Sequence, residues 1–304
     1  MREHYNWNLG RRSVALGKRT LVMGVVNVTP DSFSDGGQFG SPDAAIEHGL
    51  RLLAEGADIL DIGGESTRPG VAIARGGQPA DVSAEQEAER TIPVVEGILR
   101  SKPDAVVSID TYKSATARAA IAAGAVIVND VSGFRWDPEM AKTVAELRCG
   151  AILMHSRGTP AEWRNLPALE NPVQAVREEL ISALKNAEAE GVHREQIVID
   201  PGFGFGKRFE ENYPMLAHFA EFTKLGFPVL AGPSRKSFVG RTIGRRQSEI
   251  SGKAFEDASV VRRLYGTIAA VSACVFQGAH IVRVHDVAAA TEALAVADAI
   301  LAAE

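Results

Sequence analysis

The sequence alternates short apolar segments with longer amphipathic ones, and this alternation is the feature that most limits its fold. Each short segment is apolar at nearly every position, which is typical of a parallel strand covered on both faces. Eight strand–helix units follow one another, which predicts a closed (β/α)8 TIM barrel. The predicted strands are residues 21–26, 57–62, 105–109, 126–128, 150–154, 196–199, a segment at Val229, and 279–285.

An open, doubly wound parallel sheet is the alternative fold. In that fold the first strand-to-helix loop carries a G-x-G-x-x-G fingerprint. The loop after the first strand here, residues 28–42, lacks it, which favours the barrel. The predicted helices are residues 43–55, 84–99, 114–123, 138–147, 171–190, 211–225, 255–277 and 287–303, with one more opening in the polar run after residue 233.

The residues before the first core strand form a separate small unit. Residues 5–18 predict a hairpin that turns near Gly10 and covers one end of the barrel. No break in composition and no linker marks a second domain. We therefore expect a single domain over residues 1–304, with residues 1–20 as an N-terminal hairpin extension.

The charge balance excludes some kinds of partner. The 304 residues contain 33 Lys and Arg against 38 Asp and Glu, a formal net charge of −5, so no global basic field attracts nucleic acid or a membrane surface. Two cysteines, Cys149 and Cys274, are too few for a disulfide framework. The apolar stretch 258–278 contains Arg262 and Arg263, which favours a buried helix over a membrane span. Since the N-terminus also lacks the apolar segment of a signal peptide, we expect a cytoplasmic protein.

Polar side chains follow nearly every predicted strand. Taken singly, each is explained by a helix cap, an Asx turn or a satisfied buried histidine. Because all strands of such a barrel end at one face, the set predicts one pocket with acidic and amide groups and a cationic side. These residues are Asn27, Glu65 to Arg68, Asp110, Asn129, His155, Asp200, Ser234 to Lys236, and Arg283 with His285.

The segment Ser234-Arg-Lys-Ser237 opens a helix directly after the strand at Val229. Free backbone N–H groups at a helix start, together with the serines, Arg235 and Lys236, predict an anion-binding corner. The alternative is an ordinary loop with capping serines and a solvated basic pair.

Seven motifs carry a resemblance to a known family. Two long polar loops, residues 28–42 and 63–81, have the Gly and Pro content of mobile lids over an active site. The motifs resemble, in order along the chain, those of the dihydropteroate synthase family of pterin-binding enzymes. They are residues 27–36 (NVTPDSFSDG), 61–70 (DIGGESTRPG), 108–111 (SIDT), 129–133 (NDVSG), 200–207 (DPGFGFGK), 234–238 (SRKSF) and 283–286 (RVHD).

The resemblance implies the reaction of 6-hydroxymethyl-7,8-dihydropterin diphosphate with 4-aminobenzoate, giving 7,8-dihydropteroate and diphosphate with Mg²⁺. A carboxylate can accept hydrogen bonds from both adjacent N–H donors of the pterin edge, and Asp200 is the residue expected to bind this edge. The implied pterin-binding residues are Asp110, Asn129, Val131, Met154, Asp200, Gly232, Lys236 and Arg283.

The resemblance also implies how the diphosphate leaves. Asn27 offers an oxygen of the kind that Mg²⁺ accepts, and the expected route is dissociative, through a cation conjugated with the pterin ring. The implied diphosphate-binding residues are Asn27, Thr67, Arg68, Arg283 and His285. The implied catalytic residues are Asn27, Asp35, Arg68 and Lys236.

The aminobenzoate ring is expected among side chains from both long loops and two strand ends. Ser237 and its helix N-terminus would take the carboxylate. The implied residues are Phe33, Pro69, Phe205, Lys236 and Ser237. A homodimer through the last helices is also implied, and the apolar faces of 258–277 and 287–303 allow it.

Other interpretations stay open. A corrinoid-type pterin-binding methyltransferase would share the pterin residues but would have no use for SRKS together with Phe33 and Asp35. A catalytically silent pterin-binding paralogue and a lysine Schiff-base aldolase at Lys236 are further alternatives. The GFGFGK segment lacks Walker A spacing and its hydroxyl residue, and no zinc motif occurs. The segment over residues 71–82 is longer than the link that the family usually has between its R-P-G motif and the next helix.

Overall fold

The computed structural model describes residues 2–28, 42–65 and 82–303. Ten strands follow one another within these residues: β1 (Tyr5–Asn8), β2 (Ser13–Leu16), β3 (Leu21–Asn27), β4 (Ile59–Gly63), β5 (Val106–Asp110), β6 (Ile127–Asp130), β7 (Gly150–Met154), β8 (Ile197–Asp200), β9 (Leu230–Ala231) and β10 (Ile281–Val284). Strands β3 to β10 form a parallel sheet in the order β8-β7-β6-β5-β4-β3-β10-β9. A parallel bridge between Ile199 and Val229 joins its two edges. The predicted (β/α)8 TIM barrel is confirmed.

The strands are buried on both faces, as their sequences predict. Every residue of β4 and of β7 is buried. Their neighbours in the sheet are reached through crossover helices, and such helices cover a parallel sheet from outside. The large outer core therefore lies between the barrel and its helices, where Leu52, Ile98 and Val144 pack.

Ten helices surround the sheet in the described residues: α1 (Pro42–Ala54), α2 (Ala84–Ser101), α3 (Ser114–Ala122), α4 (Met140–Leu147), α5 (Pro172–Ala189), α6 (Asn212–Ala217), α7 (Ala220–Thr223), α8 (Ser237–Ser251), α9 (Leu264–Phe276) and α10 (Val287–Ala302). Two of them begin at clear sequence signals. Ser83 and Gln86 form a capping box at α2, and Asn171 caps α5 with Pro172 in the first turn. No helix in the described part of the chain is long and apolar enough to cross a membrane.

The helix predicted over 211–225 is divided into α6 and α7. The first part, α6, ends at Ala217, and the backbone of His218 leaves the helical region. The division turns Phe219 and Phe222 into the core, where both are fully buried and Phe219 stacks on Phe203. Aromatic packing therefore outweighs continuation of one amphipathic helix.

The helix predicted over 255–277 begins later, with a 3-10 turn at Val260–Arg263 followed by α9. The preceding residues cross α8 instead, and Ala258 N donates to Gly240 O at 3.0 Å. A Cβ atom at Gly244 would lie 2.0 Å from Glu256 O, so the crossing depends on a glycine. Periodicity alone does not reveal this contact, because it is formed between distant residues.

The N-terminal hairpin is confirmed, with β1 and β2 paired antiparallel. Trp7, Leu9 and Leu16 are buried in a second core inside the barrel, and Trp7 Nε1 donates to Gln196 O at 2.7 Å. The barrel residues of this core come from β3 and β4 and from β6 to β10: Leu21, Met23, Ile59, Ile127, Ile152, Val198, Leu230 and Ile281. The hairpin thus plugs the amino-terminal end of the barrel. The single-domain organisation over 1–304 stays a prediction.

Candidate active site

Polar side chains from several strand ends meet at the carboxyl-terminal end of the barrel. Residues two apart on a strand face the same side, so Asp61 lies on the face of β4 that carries Ile59 below it. The same spacing relates Asp200 to Val198 on β8. We call the space bounded by these side chains the strand-end cup; its members are Asp61, Asp110, Asn129, Asp200 and Arg283.

Arg283 holds one side of the strand-end cup together. Its Nε lies 2.6 Å from Asp61 Oδ2, and a second guanidinium nitrogen lies 2.7 Å from Asp110 Oδ2. Asn129 Nδ2 also donates to Asp61 Oδ2, at 2.9 Å. Burial raises the pKa of Asp110, and the Arg283 charge opposes that rise. The guanidinium is thereby fixed by two carboxylates, with a defined orientation at the centre of the site.

Asp200 forms the other side of the strand-end cup. Its Oδ1 accepts a hydrogen bond from Gly202 N at 2.7 Å. Burial raises the pKa of Asp200 to about 6, although the Gly202 N–H and the Lys236 charge act in the opposite direction. Gly232 lies between Asp200 and Arg283, since a Cβ built on it would be 3.7 Å from Asp200 Oδ2 and 3.8 Å from Arg283 Cβ.

The apolar residues predicted for the pterin site lie at neighbouring strand ends. Met154 ends β7 and pairs in register with Asp200, while Val131 directly follows β6. Both side chains are buried, at 4% and 5% exposure. The site therefore combines an apolar floor with charged walls, as small-molecule pockets commonly do.

Lys236 and Phe205 form a second part of the site beside the cup. Lys236 is the residue before the first turn of α8, and its ammonium lies 3.9 Å from the centroid of the Phe205 ring. Ser237 is the first residue of α8 and is exposed. A flat aromatic ring, a cation and a helix N-terminus therefore adjoin one another, which suits an aromatic acid.

Ser234 and His285 are bonded to each other at the same edge. Ser234 Oγ lies 3.0 Å from His285 Nδ1 and also accepts from His285 N at 3.2 Å. Asn27 ends β3 and is half-buried. Within residues 2–28, 42–65 and 82–303, no group of three or more His, Cys, Asp and Glu side chains could hold a metal ion unaided.

Two strand-end expectations need correction. Arg235, expected in the anion-binding corner, adopts a left-handed backbone with φ of 56° and forms an ion pair with Asp286 through its guanidinium. His155, counted among the pocket residues, is buried, and its Nε2 lies 3.1 Å from Glu179 Oε2 on α5. Burial lowers the pKa of His155 to about 3, so it is a neutral packing residue rather than part of the cup.

The sequence interpretation assigned no role to two residues that the structure places here. Asp61 is fully buried under Arg283 and Asn129, and its signal was an acidic residue inside an apolar strand, two positions after Ile59. Lys207 is buried behind the backbone of residues 200–206, and in the sequence it belongs to a segment that only superficially resembles a phosphate-binding loop. Burial lowers the pKa of Lys207, while the Asp200 charge raises it.

Glu65, also predicted for the pocket, forms an ion pair with Lys113. The remaining predicted site residues belong to the two long loops. Their positions lie outside the described residues: Phe33, Asp35, Thr67, Arg68 and Pro69. The longer segment over residues 71–82 also falls there, apart from Val82.

Comparison with known proteins identifies the family. A family model described as "Pterin binding enzyme" matches residues 23–285. The dihydropteroate synthase of Synechocystis sp. is 42% identical over 284 residues, covering 93% of this chain and 91% of that protein. The dihydropteroate synthase of Escherichia coli K12 is 39% identical over 283 residues, covering 93% and 92%.

Solved structures agree. The dihydropteroate synthase of Xanthomonas albilineans with 4-aminobenzoic acid superposes with a TM-score of 0.83 at 41% identity, covering 99% of both chains. The same protein in complex with 7,8-dihydropteroate gives a TM-score of 0.77 at 40% identity, covering 95% and 96%. The chain therefore belongs to the family of pterin binding enzymes, in its dihydropteroate synthase branch.

Proposed function

We propose that the chain joins 6-hydroxymethyl-7,8-dihydropterin diphosphate to 4-aminobenzoate by using the strand-end cup for the pterin. The observation that carries this proposal is the convergence of Asp110, Asn129, Asp200 and Arg283 on one space. Asp200 accepts the two adjacent N–H donors of the pterin edge as a charge-assisted pair. Asp110 and Asn129 contact the ring nitrogens on the opposite side.

The rest of the pterin pocket orients the ring. Val131 and Met154 form its apolar floor, and Gly232 leaves the room that a side chain would fill. Lys236 reaches the carbonyl side of the ring. Arg283, already fixed by Asp61 and Asp110, presents a planar cation against the pterin face. Because its partners hold it before the substrate arrives, little ordering is needed on binding.

The diphosphate lies toward Asn27 and His285, with Thr67, Arg68 and Arg283 as further partners. The half-buried Asn27 amide suits Mg²⁺, which takes oxygen ligands and completes its shell with water and substrate phosphates. Mg²⁺ bound there would neutralise charge on the diphosphate. In the described residues Asn27 is the oxygen donor assigned to the ion, so water and the substrate phosphates would supply the rest of its shell.

Loss of diphosphate precedes attack in this proposal, because positive charge on the pterin is stabilised by conjugation. Asp35 and Arg68 act from the two long loops, Asp35 on the cation or the incoming amine and Arg68 on the leaving group. Closure of both loops would exclude water, which would otherwise capture the cation. Asn27 and Lys236 complete the catalytic set from the barrel.

The aminobenzoate occupies the space beside Phe205 and Lys236, bounded by Phe33 and Pro69. Its carboxylate meets Ser237 and the N–H groups of the first turn of α8. Its amine then faces the exocyclic carbon of the pterin. The adjacency of Lys236 to the Phe205 ring supports this arrangement, because one lysine can serve both substrates.

We further propose a cytoplasmic homodimer that uses the last helices. Several large apolar side chains of these helices and of the turn before α9 are exposed: Val261, Tyr265, Phe276, Val296 and Ile300. An apolar surface of this kind marks an interface in many soluble proteins. The free, buried cysteines Cys149 and Cys274 agree with a reducing compartment.

The experiment supplies both substrates with Mg²⁺ and measures dihydropteroate and diphosphate together. Lys236→Ala should lower kcat at least about tenfold and raise both KM values, since Lys236 contacts both substrates. Arg245→Ala is the matched control on the same helix, because Arg245 is exposed and pairs with Glu210. Absence of both products with the wild-type protein would refute the proposal.

A further inference from the structure

The loop over residues 200–207 carries contacts for both proposed substrates, Asp200 at its start and Phe205 near its end. Its path is unusually tight. Gly202 and Gly206 have φ of 69° and 68°, where only glycine is unstrained. A Cβ atom at Gly202 would lie 1.9 Å from His155 O, and one at Gly206 would lie 2.5 Å from Arg157 O. The loop is therefore pressed against the segment that follows β7.

Lys207 closes this loop from behind. Its side chain is buried, and its ammonium donates to His155 O at 3.2 Å, to Gly202 O at 2.7 Å and to Phe205 O at 3.2 Å. An ammonium group has three donors, so these three carbonyl oxygens account for all of them. One buried cation thus joins the end of β7 to both halves of the loop.

The two substrate-contacting residues of the loop differ in how their backbone is supported. Asp200 ends β8, pairs with Met154 in the sheet, and its carbonyl accepts from His155 N at 2.8 Å. Phe205 is outside any strand. Its backbone bonds are longer: 3.3 Å from Phe205 N to Gly202 O, and 3.4 Å from Arg157 N to Phe205 O. Phe205 therefore lacks the sheet pairing that holds Asp200. The Lys207 ammonium, 3.2 Å from Phe205 O, is the charged donor among its backbone contacts, and a charge-assisted bond is stronger than a neutral one.

The orientation of the Phe205 ring is defined by contacts on two sides. The Lys236 ammonium lies 3.9 Å from its centroid, and Trp163 meets it edge to face at 5.4 Å and 86°. Such contacts are geometrically selective, so a small backbone shift at Phe205 would tilt the ring away from Lys236. The ring would then present a different surface to an aromatic substrate.

We propose that Lys207 is a positioning residue for the aromatic-acid half of the site: by binding the Phe205 carbonyl it holds the Phe205 ring against Lys236. This inference rests on the proposed function, in which Phe205 contacts the aminobenzoate ring. It assigns a role to the one lysine of the GFGFGK motif that the chemistry leaves unused. Lys207 touches no substrate and acts through Phe205.

The test compares Lys207→Met, which keeps the length of the side chain and removes its donors, with Arg208→Met. Arg208 is the adjacent, exposed cation, and its guanidinium bonds to Leu166 O. Both KM values are measured at about pH 8, where Asp200 is ionised even without the Lys207 charge that lowers its pKa. There Lys207→Met should raise the KM for aminobenzoate at least about tenfold, while the KM for the pterin diphosphate changes less than about threefold. Arg208→Met should change neither constant by more than about twofold.

A role limited to stability predicts a different result. Partial unfolding lowers the apparent kcat through the amount of active protein but leaves both KM values unchanged. The inference would be overturned if Lys207→Met left the KM values for both substrates unchanged, or raised both by the same factor. Lys207→Gln keeps an N–H donor, so it should raise the KM for aminobenzoate less than Lys207→Met does and leave the KM for the pterin diphosphate nearly unchanged. This variant replaces Lys207→Met in the test if Lys207→Met does not fold.

A double-variant cycle tests whether Lys207 acts through Phe205. Phe205→Leu alone should raise the KM for aminobenzoate, and adding Lys207→Met to it should then raise that KM less than about twofold further. If Phe205→Leu has the expected effect and Lys207→Met has none, this inference fails and the proposed function stands. If Phe205→Leu has no effect, the aminobenzoate assignment itself is wrong.

Discussion

The two ends of the barrel are built by the same strands yet have opposite chemistry. At the amino-terminal end the hairpin residues Trp7, Leu9 and Leu16 seal an apolar layer. At the other end Arg283 joins two carboxylates and Asp200 is buried with a raised pKa. On four strands the two layers are only two positions apart: Ile59 and Asp61, Ile127 and Asn129, Val198 and Asp200, and Ile281 and Arg283.

This difference shows how a rigid charged site is made. Side chains on a strand alternate between faces, so a register shift of one residue would move every member of both layers out of the barrel interior. Such a shift would be costly because both faces of the sheet are buried: the interior apolar layer would lose its packing against the hairpin, and the charged side chains would enter the apolar outer core. The barrel residues of the apolar layer therefore contribute to the register that positions Asp61, Asp200 and Arg283 opposite one another.

The largest expected effect is on the plug. Trp7→Ala should lower the free energy of unfolding by about 3–5 kcal/mol, because it empties a fully buried position. It also removes the donor to Gln196 O. Urea unfolding monitored by circular dichroism measures this loss.

The same variant should leave the KM values of the remaining folded protein unchanged within about twofold, because its cavity lies beneath an intact apolar layer. Trp7→Phe, which keeps most of the volume, is the matched control and should lose less stability. A tenfold rise in either KM for Trp7→Ala would show that the plug and the strand-end cup do not behave as separate layers.

The next largest effect is on the strand-end cup, where a substitution should lower ligand affinity rather than stability. Asp200→Asn should weaken binding of 6-hydroxymethyl-7,8-dihydropterin by about 2 kcal/mol, roughly 30-fold, because a charge-assisted pair becomes a neutral one. Isothermal titration calorimetry measures it. Unfolding free energy should fall little or even rise, since the buried carboxylate is destabilised in its charged form.

Asp43→Asn is the control for that experiment, because Asp43 is exposed in the first turn of α1. It should bind the pterin as the wild-type protein does. Should Asp200→Asn bind the pterin unchanged, the assignment of Asp200 to the pterin edge is incorrect.

The contrast between the layers also explains what could be predicted from sequence. Apolar runs and strand-end polar residues depend on local spacing, so the barrel, the hairpin, and the meeting of Asp110, Asn129, Asp200 and Arg283 could be anticipated. The pairing of Arg235 with Asp286 could not, since it depends on a left-handed backbone at one residue. The same holds for the carbonyl contacts of Lys207, which join segments 52 residues apart in the case of His155.

Asp61 lies between these two cases. An aspartate inside the apolar run Ile59-Leu-Asp-Ile62 indicates a buried carboxylate that needs a partner. The identity of that partner is set by the closed sheet, which brings β10 beside β3 and so Arg283 within reach of β4. The sequence therefore indicates that Asp61 needs a cationic partner, and the folded barrel identifies that partner as Arg283.

The smallest expected effect is a pH dependence that belongs to the cup and is absent from the plug. Asp200 must be ionised to accept both pterin N–H donors, and burial raises its pKa to about 6. Its carboxylate is therefore mostly ionised at pH 7 and mostly protonated at pH 5. Pterin affinity should fall about tenfold over this interval, since the ionised fraction of a group with a pKa of about 6 falls about tenfold between pH 7 and pH 5. The probe is 6-hydroxymethyl-7,8-dihydropterin, which carries no phosphate that would titrate in the same range, and calorimetry measures its affinity.

Asp110, whose pKa is also raised by burial, adds to the decline in pterin affinity at low pH. Asp200→Asn should consequently retain a shallower pH dependence, whereas Trp7→Phe should retain the full one. Equal affinity at pH 5 and pH 7 in the wild-type protein would mean that Asp200 binds the pterin without its charge.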